Sequence, residues 1–321
     1  MIMESNAKVQ EILKQYGLDF RIEKLPMVAK LPIGRVSETI INNGIEEVIE
    51  RVTYKDVPTD YYGLLNTKSG NIINQVKSGY EVSQNDEILE LVLEGMKPFG
   101  DSLSVTKAGS LNDGRKTFVQ LGIEEMSKVG TETIKRYVTI IDSNDGTTSL
   151  SVGLGELVMS CQNQFFKFYK DGQSKYRHTA ALRQRVMELP YLIERTLAES
   201  LKLTETYARF QSTEVTRKMA DEMVKHLLGF DRLMSVRKES EMATKSLNAM
   251  NDLYDHMTKE MNQKGDNLFG LFSGVTSWTT HSKSAPKREN GRLESVMVGT
   301  NNKVNQSAYE FTMNKLGLVM A

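Results

Sequence analysis

Apolar residues recur in two different rhythms along this chain, and the change falls near residue 180. Before it, apolar runs are short, alternate with polar positions and are cut by glycine-containing turns; after it, they return every three or four residues over long stretches. Residues 1–180 are therefore read as an α+β core, 181–264 as a helical region, and 265–321 as a polar loop with a terminal helix. Within the core, Lys116–Ile123, Lys135–Ile141 and Thr147–Val152 cluster β-branched and aromatic residues as half-buried strands do. Asn112-Asp113-Gly114 leads into the first, and Asn144-Asp145-Gly146 joins the other two; each Asp-Gly pair can supply the positive φ of a tight hairpin. Leu154, Leu157, Val158, Cys161 and Phe165 then recur at spacings of three or four, which predicts an amphipathic helix over 154–166. The expected architecture is an antiparallel sheet with a β-β-β-α core followed by a helical C-terminal half.

The flanking elements read less evenly. Ser5 is placed to cap a helix with Val9, Ile12, Leu13 and Tyr16 on one stripe and Gly17 at its end. Leu18–Met27 reads as a strand running into Pro26, but 27–57 has no single reading: Pro32 and Gly34 interrupt it, and Ile40–Val52 fits helix or strand. Tyr61–Leu65 and Asn71–Val76 form a hairpin across Thr67–Gly70. Ser83 and Asp86 stand in a capping-box arrangement before Ile88, Leu89, Val92 and Leu93, and Gly95 and Pro98 stop that helix. Ser102–Ala108 is a further strand. Pro190 suits the first turn of a helix, and Val215, Met219, Met223 and Leu227 mark long helices that bury their stripes on each other or on another copy. Val304–Leu316 reads as a closing helix.

Composition narrows the function classes. The 41 basic and 41 acidic residues cancel, so attraction for a polyanion has to be local. One cysteine, Cys161, rules out a disulfide framework and suits a reduced cytoplasm, and no window is long and apolar enough to suggest membrane spanning or a signal peptide. The locally charged stretch is 165–185, FFKFYKDGQSKYRHTAALRQR. It sets Lys167, Lys170, Lys175, Arg177, Arg183 and Arg185 against Asp171 alone and threads Phe165, Phe166, Phe168, Tyr169 and Tyr176 among them. Cations for phosphates and flat rings for unstacked bases are what a single nucleic-acid strand requires. The alternative is that Phe165 and Phe168 close the core while the lysines coat a solvated edge. A second basic stretch, Lys283, Lys287, Arg288 and Arg292 around Trp278, allows the same two readings.

Catalytic signatures are missing from the chain. It carries no Walker A, GxGxxG, HExxH or CxxC pattern, and His178, His226, His256 and His281 are scattered singly. Asp142 and Asp145 could share a magnesium ion or simply stabilise their turn, and Cys161 reads as a buried side chain with no base near it in sequence. No catalytic residue, metal or cofactor is expected.

A series of short motifs carries a resemblance. LDFRIEKLP (18–26), YYGLLNTKSGNIINQVKSGYEVSQNDEILELV (61–92), AGSLNDGRKTFVQL (108–121), IIDSNDGTTSL (140–150), SCQNQF (160–165) and YRHT (176–179) resemble, in order, the steps of the phage- and plasmid-borne family catalogued as domain of unknown function 932. Asn144 replaces the histidine of that family's turn and Gln164 its threonine, so no chemical role transfers to either position. The β-β-β-α order is also similar to the arrangement in phage single-strand annealing proteins of the Redβ, Erf and Sak type. Together these imply an ATP-independent, oligomeric single-stranded DNA-binding and annealing protein of a phage. Lys167, Lys170, Lys175, Arg177, Arg183 and Arg185 would neutralise phosphates, Lys135, Arg136 and Arg115 would help from the sheet, and Tyr169 and Tyr176 would stack on bases. The alternative is a phage structural or assembly protein acting through protein contacts without catalysis.

Overall fold

Alternating β-branched and polar residues between Ile22 and Asn66 favour extended chain over helix, because each side chain can then stand clear of its neighbour's. In the computed structural model, which describes residues 2–42, 45–124, 126–168, 175–176, 188–229 and 244–317, this stretch is one long hairpin. Strand β1 (Ile22–Asn42) pairs antiparallel with β2 (Ile45–Asn66) from Ile22 opposite Asn66 to Asn42 opposite Ile45. Irregularities fall between Pro26 and Val28 and between Pro32 and Gly34, beside the prolines that cannot donate to the ladder. The segment with two readings, 40–52, is thus strand over 40–42 and 45–52. Strand β3 (Ile72–Lys77) extends the ribbon only at its base, Leu65 lying opposite Ile72 and Tyr61 opposite Lys77.

Helix α1 (Ile2–Gln15) ends as expected at Gly17, whose φ of 67° suits a residue without a Cβ. Helix α2 (Asn85–Met96) begins one residue later than the capping box implies. Ser83 is not its cap: the hydroxyl donates instead to the buried carboxylate of Asp142, and Asp86 pairs with Arg21 at 2.9 Å. A short 3-10 turn, Lys97–Ser102, leads into the main sheet.

That sheet is antiparallel throughout. Strands β4 (Leu103–Leu111), β5 (Lys116–Ile123), β7 (Glu132–Ser143) and β8 (Leu150–Val158) lie side by side in chain order, with β6 (Ser127–Val129) on β7. Strands β9 (Gln164–Phe168) and β10 (Lys175–Tyr176) pair with β8. The Asn112-Asp113-Gly114 turn has all three residues at positive φ, and a Cβ on Gly114 would lie 2.6 Å from Asn66 Nδ2 and 2.8 Å from the Phe20 ring, so this turn is docked against the base of the ribbon.

The helix expected over 154–166 is not there; the chain continues as β8 and returns as β9. Spacing of three or four is also met by a strand whose two faces are both buried, since every apolar residue then finds cover regardless of parity. Gly153 and Gly155 decide the matter. A Cβ on Gly153 would lie 2.5 Å from the Lys167 carbonyl and one on Gly155 2.7 Å from Thr139 Oγ1, so these glycines permit the close strand contacts that a helix would forgo.

Helices follow: α3 (Leu189–Gln211), α4 (Arg217–Leu228), α5 (Thr244–Lys264), α6 (Leu268–Ser277), α7 (Gly291–Met297) and α8 (Thr300–Lys315). Pro190 lies in the first turn of α3 as expected. The region read as a polar loop is corrected by α6, all of whose residues are buried, continued by a π-helical turn over Trp278–Ser282. Its LFGLFSGVTS sequence packs on α5 because Gly270 and Gly274 let the helices touch: a Cβ on Gly274 would come within 2.4 Å of Met257 Cα.

Two large apolar cores result. One joins α1, α2, the ribbon base, the Val138 and Ile140 face of the sheet and the start of α3. The other gathers Ile134, Leu154 and Phe165 with α3, α4, α5, α6 and α8 around the rings of Tyr207, Phe210, Phe272 and Tyr309. A smaller cluster, Leu111, Phe118, Ile141, Phe166, Val296 and Met297, covers the opposite sheet face.

Candidate functional site

A strand sends successive side chains to opposite faces, and this separates neighbours among the described residues of the basic and aromatic stretch. Along β9, Phe165 lies opposite Glu156 and Lys167 opposite Leu154, whereas Phe166 lies opposite Gly155 on the other face. Phe165 and Phe166 are both in the apolar cores. Lys167 reaches over the Tyr309 ring, 5.0 Å from its centroid, and burial pulls its ammonium below the ordinary lysine range. Lys135 is half-buried and opposite Leu157, while its neighbour Arg136 points to the other face. Arg115 is in the β4–β5 turn, where its carbonyl accepts from Asn144 N at the far end of β5 from Arg136's end of β7. Lys170, Arg177, Arg183, Arg185 and Tyr169 lie outside the described residues; of Lys175 and Tyr176 only the backbone pairing with Ser151 and Leu150 is described. The described cations thus do not form one trough.

Arg136 is a structural residue. It is 2% exposed, its Nε donates to Glu156 at 2.7 Å, and Nη1 donates to Ser127 Oγ, the Ser200 carbonyl and Thr204 Oγ1, tying the sheet to α3. Tyr207 donates to the other Glu156 oxygen at 2.5 Å, and burial followed by the charge of Glu156 holds its phenol well above the ordinary range. A second buried cation, Lys116, bridges Asp145 at 2.6 Å and Glu294 at 2.9 Å; Arg288 joins through Glu294 at 2.6 Å. Burial alone would raise the Asp145 carboxyl, but donors on Lys116, Ser143 and Thr147 outweigh it and hold it below its ordinary value. Asp145 is therefore occupied by its turn and by Lys116, and Asp142 accepts from Ser83. Among the described residues no group of three or more His, Cys, Asp or Glu is placed to hold a metal ion.

The third network is around Cys161. Lys264 Nζ lies 3.6 Å from its Sγ, 2.5 Å from Glu260 and 3.6 Å from Glu132. Burial pushes the thiol up. Sequence spacing cannot show this cation, which comes from a residue about a hundred positions away. His281 contacts the Cys161 carbonyl and Asn163 Oδ1 at 3.1 Å, His256 contacts Ser277 Oγ at 2.9 Å and His226 contacts Ser307 Oγ at 2.8 Å, so each described histidine supports local packing. His178 lies outside the described residues.

Two features open to solvent were not singled out in the sequence. One is a groove of about 670 Å³ beside the β4–β5 turn, lined by Lys68, Lys107, Arg288, Asp113, Glu289 and Tyr16 among others. Of the second basic stretch, Arg288 reaches it, whereas Trp278 is buried with its indole N–H on Asp252 and Lys283 over its ring. The other is the ribbon itself. From Val28 to Thr39 and from Glu50 to Pro58 every residue is exposed, including Ile33 at 62% and Tyr54 at 55%. Alternating charge and Val or Ile along both strands is the visible signal, although over 40–52 the residues fit helix as well as strand.

The fold defines an α+β protein: an antiparallel sheet covered by helices, with a helical C-terminal half and a projecting two-stranded ribbon. The model of the family described as a domain of unknown function (DUF932) matches residues 73–307, and the chain belongs to that family. The matched region begins after the ribbon and contains the whole main sheet. No curated protein and no solved structure matches the chain. Among the described residues no helix is long and apolar enough to cross a membrane.

Proposed function

We propose that this protein acts by assembly and not by catalysis, as a structural or assembly component encoded by a phage, with copies joined through the β1–β2 ribbon in the host cytoplasm. The observation that supports this reading is a long hairpin whose apolar residues are in water on both faces. An isolated two-stranded ribbon is marginal at best in water, and contiguous exposed apolar surface marks interaction sites in soluble proteins. The test is light scattering on the full chain beside a variant in which residues 28–58 are replaced by an Asn-Gly turn. The reading expects an oligomer that the shortened chain cannot form; a wild-type monomer overturns it.

A second reading, single-stranded DNA binding and annealing without ATP by an oligomer, draws support from the groove in which Lys68, Lys107 and Arg288 converge from three separate segments beside Tyr16. Asp113 and Glu289 on the same walls weaken its field. Affinity for a labelled oligonucleotide should fall by roughly 0.7 log units per log unit of salt for each phosphate contacted. A Lys68→Ala, Lys107→Ala variant should lose part of that slope. The absence of any complex at about 50 mM salt removes this reading.

A further inference from the structure

The ribbon has a polarity of charge that its length makes useful. By sequence, its distal part, residues 36–50, carries Glu38, Glu46, Glu47 and Glu50 and no basic residue. Its proximal part, 24–35 with 51–62, carries Lys24, Lys30, Arg35, Arg51 and Lys55 against Asp56 and Asp60. Two internal pairs, Arg35 with Glu50 at 3.3 Å and Arg51 with Glu38 at 3.4 Å, join the two zones where they meet. Outside those pairs the distal part keeps Glu46 and Glu47, and the proximal part keeps Lys24, Lys30 and Lys55 against Asp56 and Asp60. An object with a negative end and a positive end is complementary to a second copy of itself laid antiparallel.

We infer that the partner of the ribbon is the ribbon of a second copy of this chain, the two stacked face to face and antiparallel, acidic end over basic end. The inference rests on the assembly reading above and specifies its partner. Edge-to-edge pairing is disfavoured along β1, because Pro26 and Pro32 interrupt its row of donors, and Pro58 does the same near the base of β2. Stacking leaves the edges alone. Residues opposite each other in the ladder share a face, which puts Val28, Val48, Val52 and Tyr54 on one side, all of them large and exposed. Lys30, Arg35, Glu50 and Asp56 share that side, and the other carries Leu31, Val36, Ile49 and Val57 among Glu38, Arg51 and Lys55, so apolar and charged residues alternate along both faces.

Length and area agree with this partner. The free ribbon, fifteen or so residues per strand, spans about 50 Å at 3.3 Å per residue. A globular chain of this size has a radius of gyration of about 20 Å, so the ribbon projects about as far as the body is wide and clears it. Two strands about 5 Å apart present roughly 500 Å² per face, or about 1,000 Å² buried between two copies, at the lower limit for a specific interface. Charge complementarity at both ends then supplies register that area alone would not.

The experiment uses the full chain and two double variants: Glu46→Lys, Glu47→Lys at the distal end, and Lys30→Glu, Lys55→Glu at the proximal end. At about 20 µM, light scattering should find the wild type associated and each variant alone shifted to monomer. Counting the charges outside the two internal pairs, the distal variant is positive at both ends and the proximal variant negative at both. An equimolar mixture should therefore restore association, which misfolding of either variant cannot do. Association of either variant alone to the wild-type extent, or a mixture that stays monomeric, overturns the inference. If the wild type assembles but the chain lacking residues 28–58 does so equally well, assembly stands and the ribbon-to-ribbon partner falls. If the wild type is a monomer, both fall.

Discussion

The main sheet and the ribbon are built from similar residues and differ most in burial, the one sealed and the other in water. In the sheet, β5, β7 and β8 are covered on both faces, and the charges they carry are sealed into specific pairs: Arg136 with Glu156, and Lys116 with Asp145 and Glu294. In the ribbon, Arg35 with Glu50 and Arg51 with Glu38 make pairs of the same chemistry in water, on strands exposed throughout from Val28 to Thr39 and from Glu50 to Pro58. A buried ion pair is costly to break because the remaining partner has nowhere to turn for solvation, whereas an exposed one exchanges its partner for water. The comparison therefore separates residues that hold the fold from residues free to hold something else.

The largest effect expected is at Arg136. Arg136→Met removes the cation from Glu156 and the donors from Ser200 and Thr204, and unfolding by denaturant should show a loss of about 3–5 kcal/mol. Lys116→Met should cost somewhat less, since Glu294 keeps Arg288 and Asp145 keeps Ser143 and Thr147, with the β7–β8 turn and α7 losing protection in hydrogen exchange first. The wild-type chain carries a linked pH signature. Asp145 and Glu294 titrate below their ordinary values of 3.8 and 4.5 when folded, so the stability they contribute is complete above those values. It is lost as pH falls through the lower folded values, and Lys116→Met should shrink that acid-side slope.

Gly155→Ala is expected to be smaller, about 1–3 kcal/mol, because the new methyl group meets Thr139 Oγ1 and the Phe166 ring inside a packed sheet. At the bottom of the scale, Arg35→Ala in the ribbon should leave the unfolding free energy of the body within about half a kcal/mol. A ribbon substitution that destabilised the body as strongly as Arg136→Met would abolish the distinction between the two regions.

Cys161 sharpens the same contrast from within the body. Burial raises its thiol, with Lys264 held mainly by Glu260, so alkylation at neutral pH should be slow in the folded chain and rapid after denaturation.

Much of the order of elements was legible in the residues. Gly17, Gly114 and Gly146 marked turns because only a residue without a Cβ takes positive φ at low cost, and each has it. Pro190 opened a helix for the converse reason, its missing donor costing nothing in a first turn. The motif series led to the family that the 73–307 match assigns.

What the sequence could not contain is cover. Leu154 to Phe165 has a spacing that a helix and a strand buried on both faces share, and the choice was made by neighbours: Thr139 and Lys167 approach so closely that only glycine fits at 155 and 153. The basic and aromatic stretch looked continuous in one dimension, yet strand alternation sent Lys167 and Phe166 to opposite faces, and Arg136, expected to help from the sheet, is a buried tie. The ribbon is the reverse case, where Val28, Val48, Val52 and Tyr54 had the pattern of a strand with a core to face and the tertiary structure gave them none. Local chemistry determines which backbone shapes a segment can take; only the packing of distant segments determines which of its faces are dry, and so which charges are structural and which surfaces are left to bind.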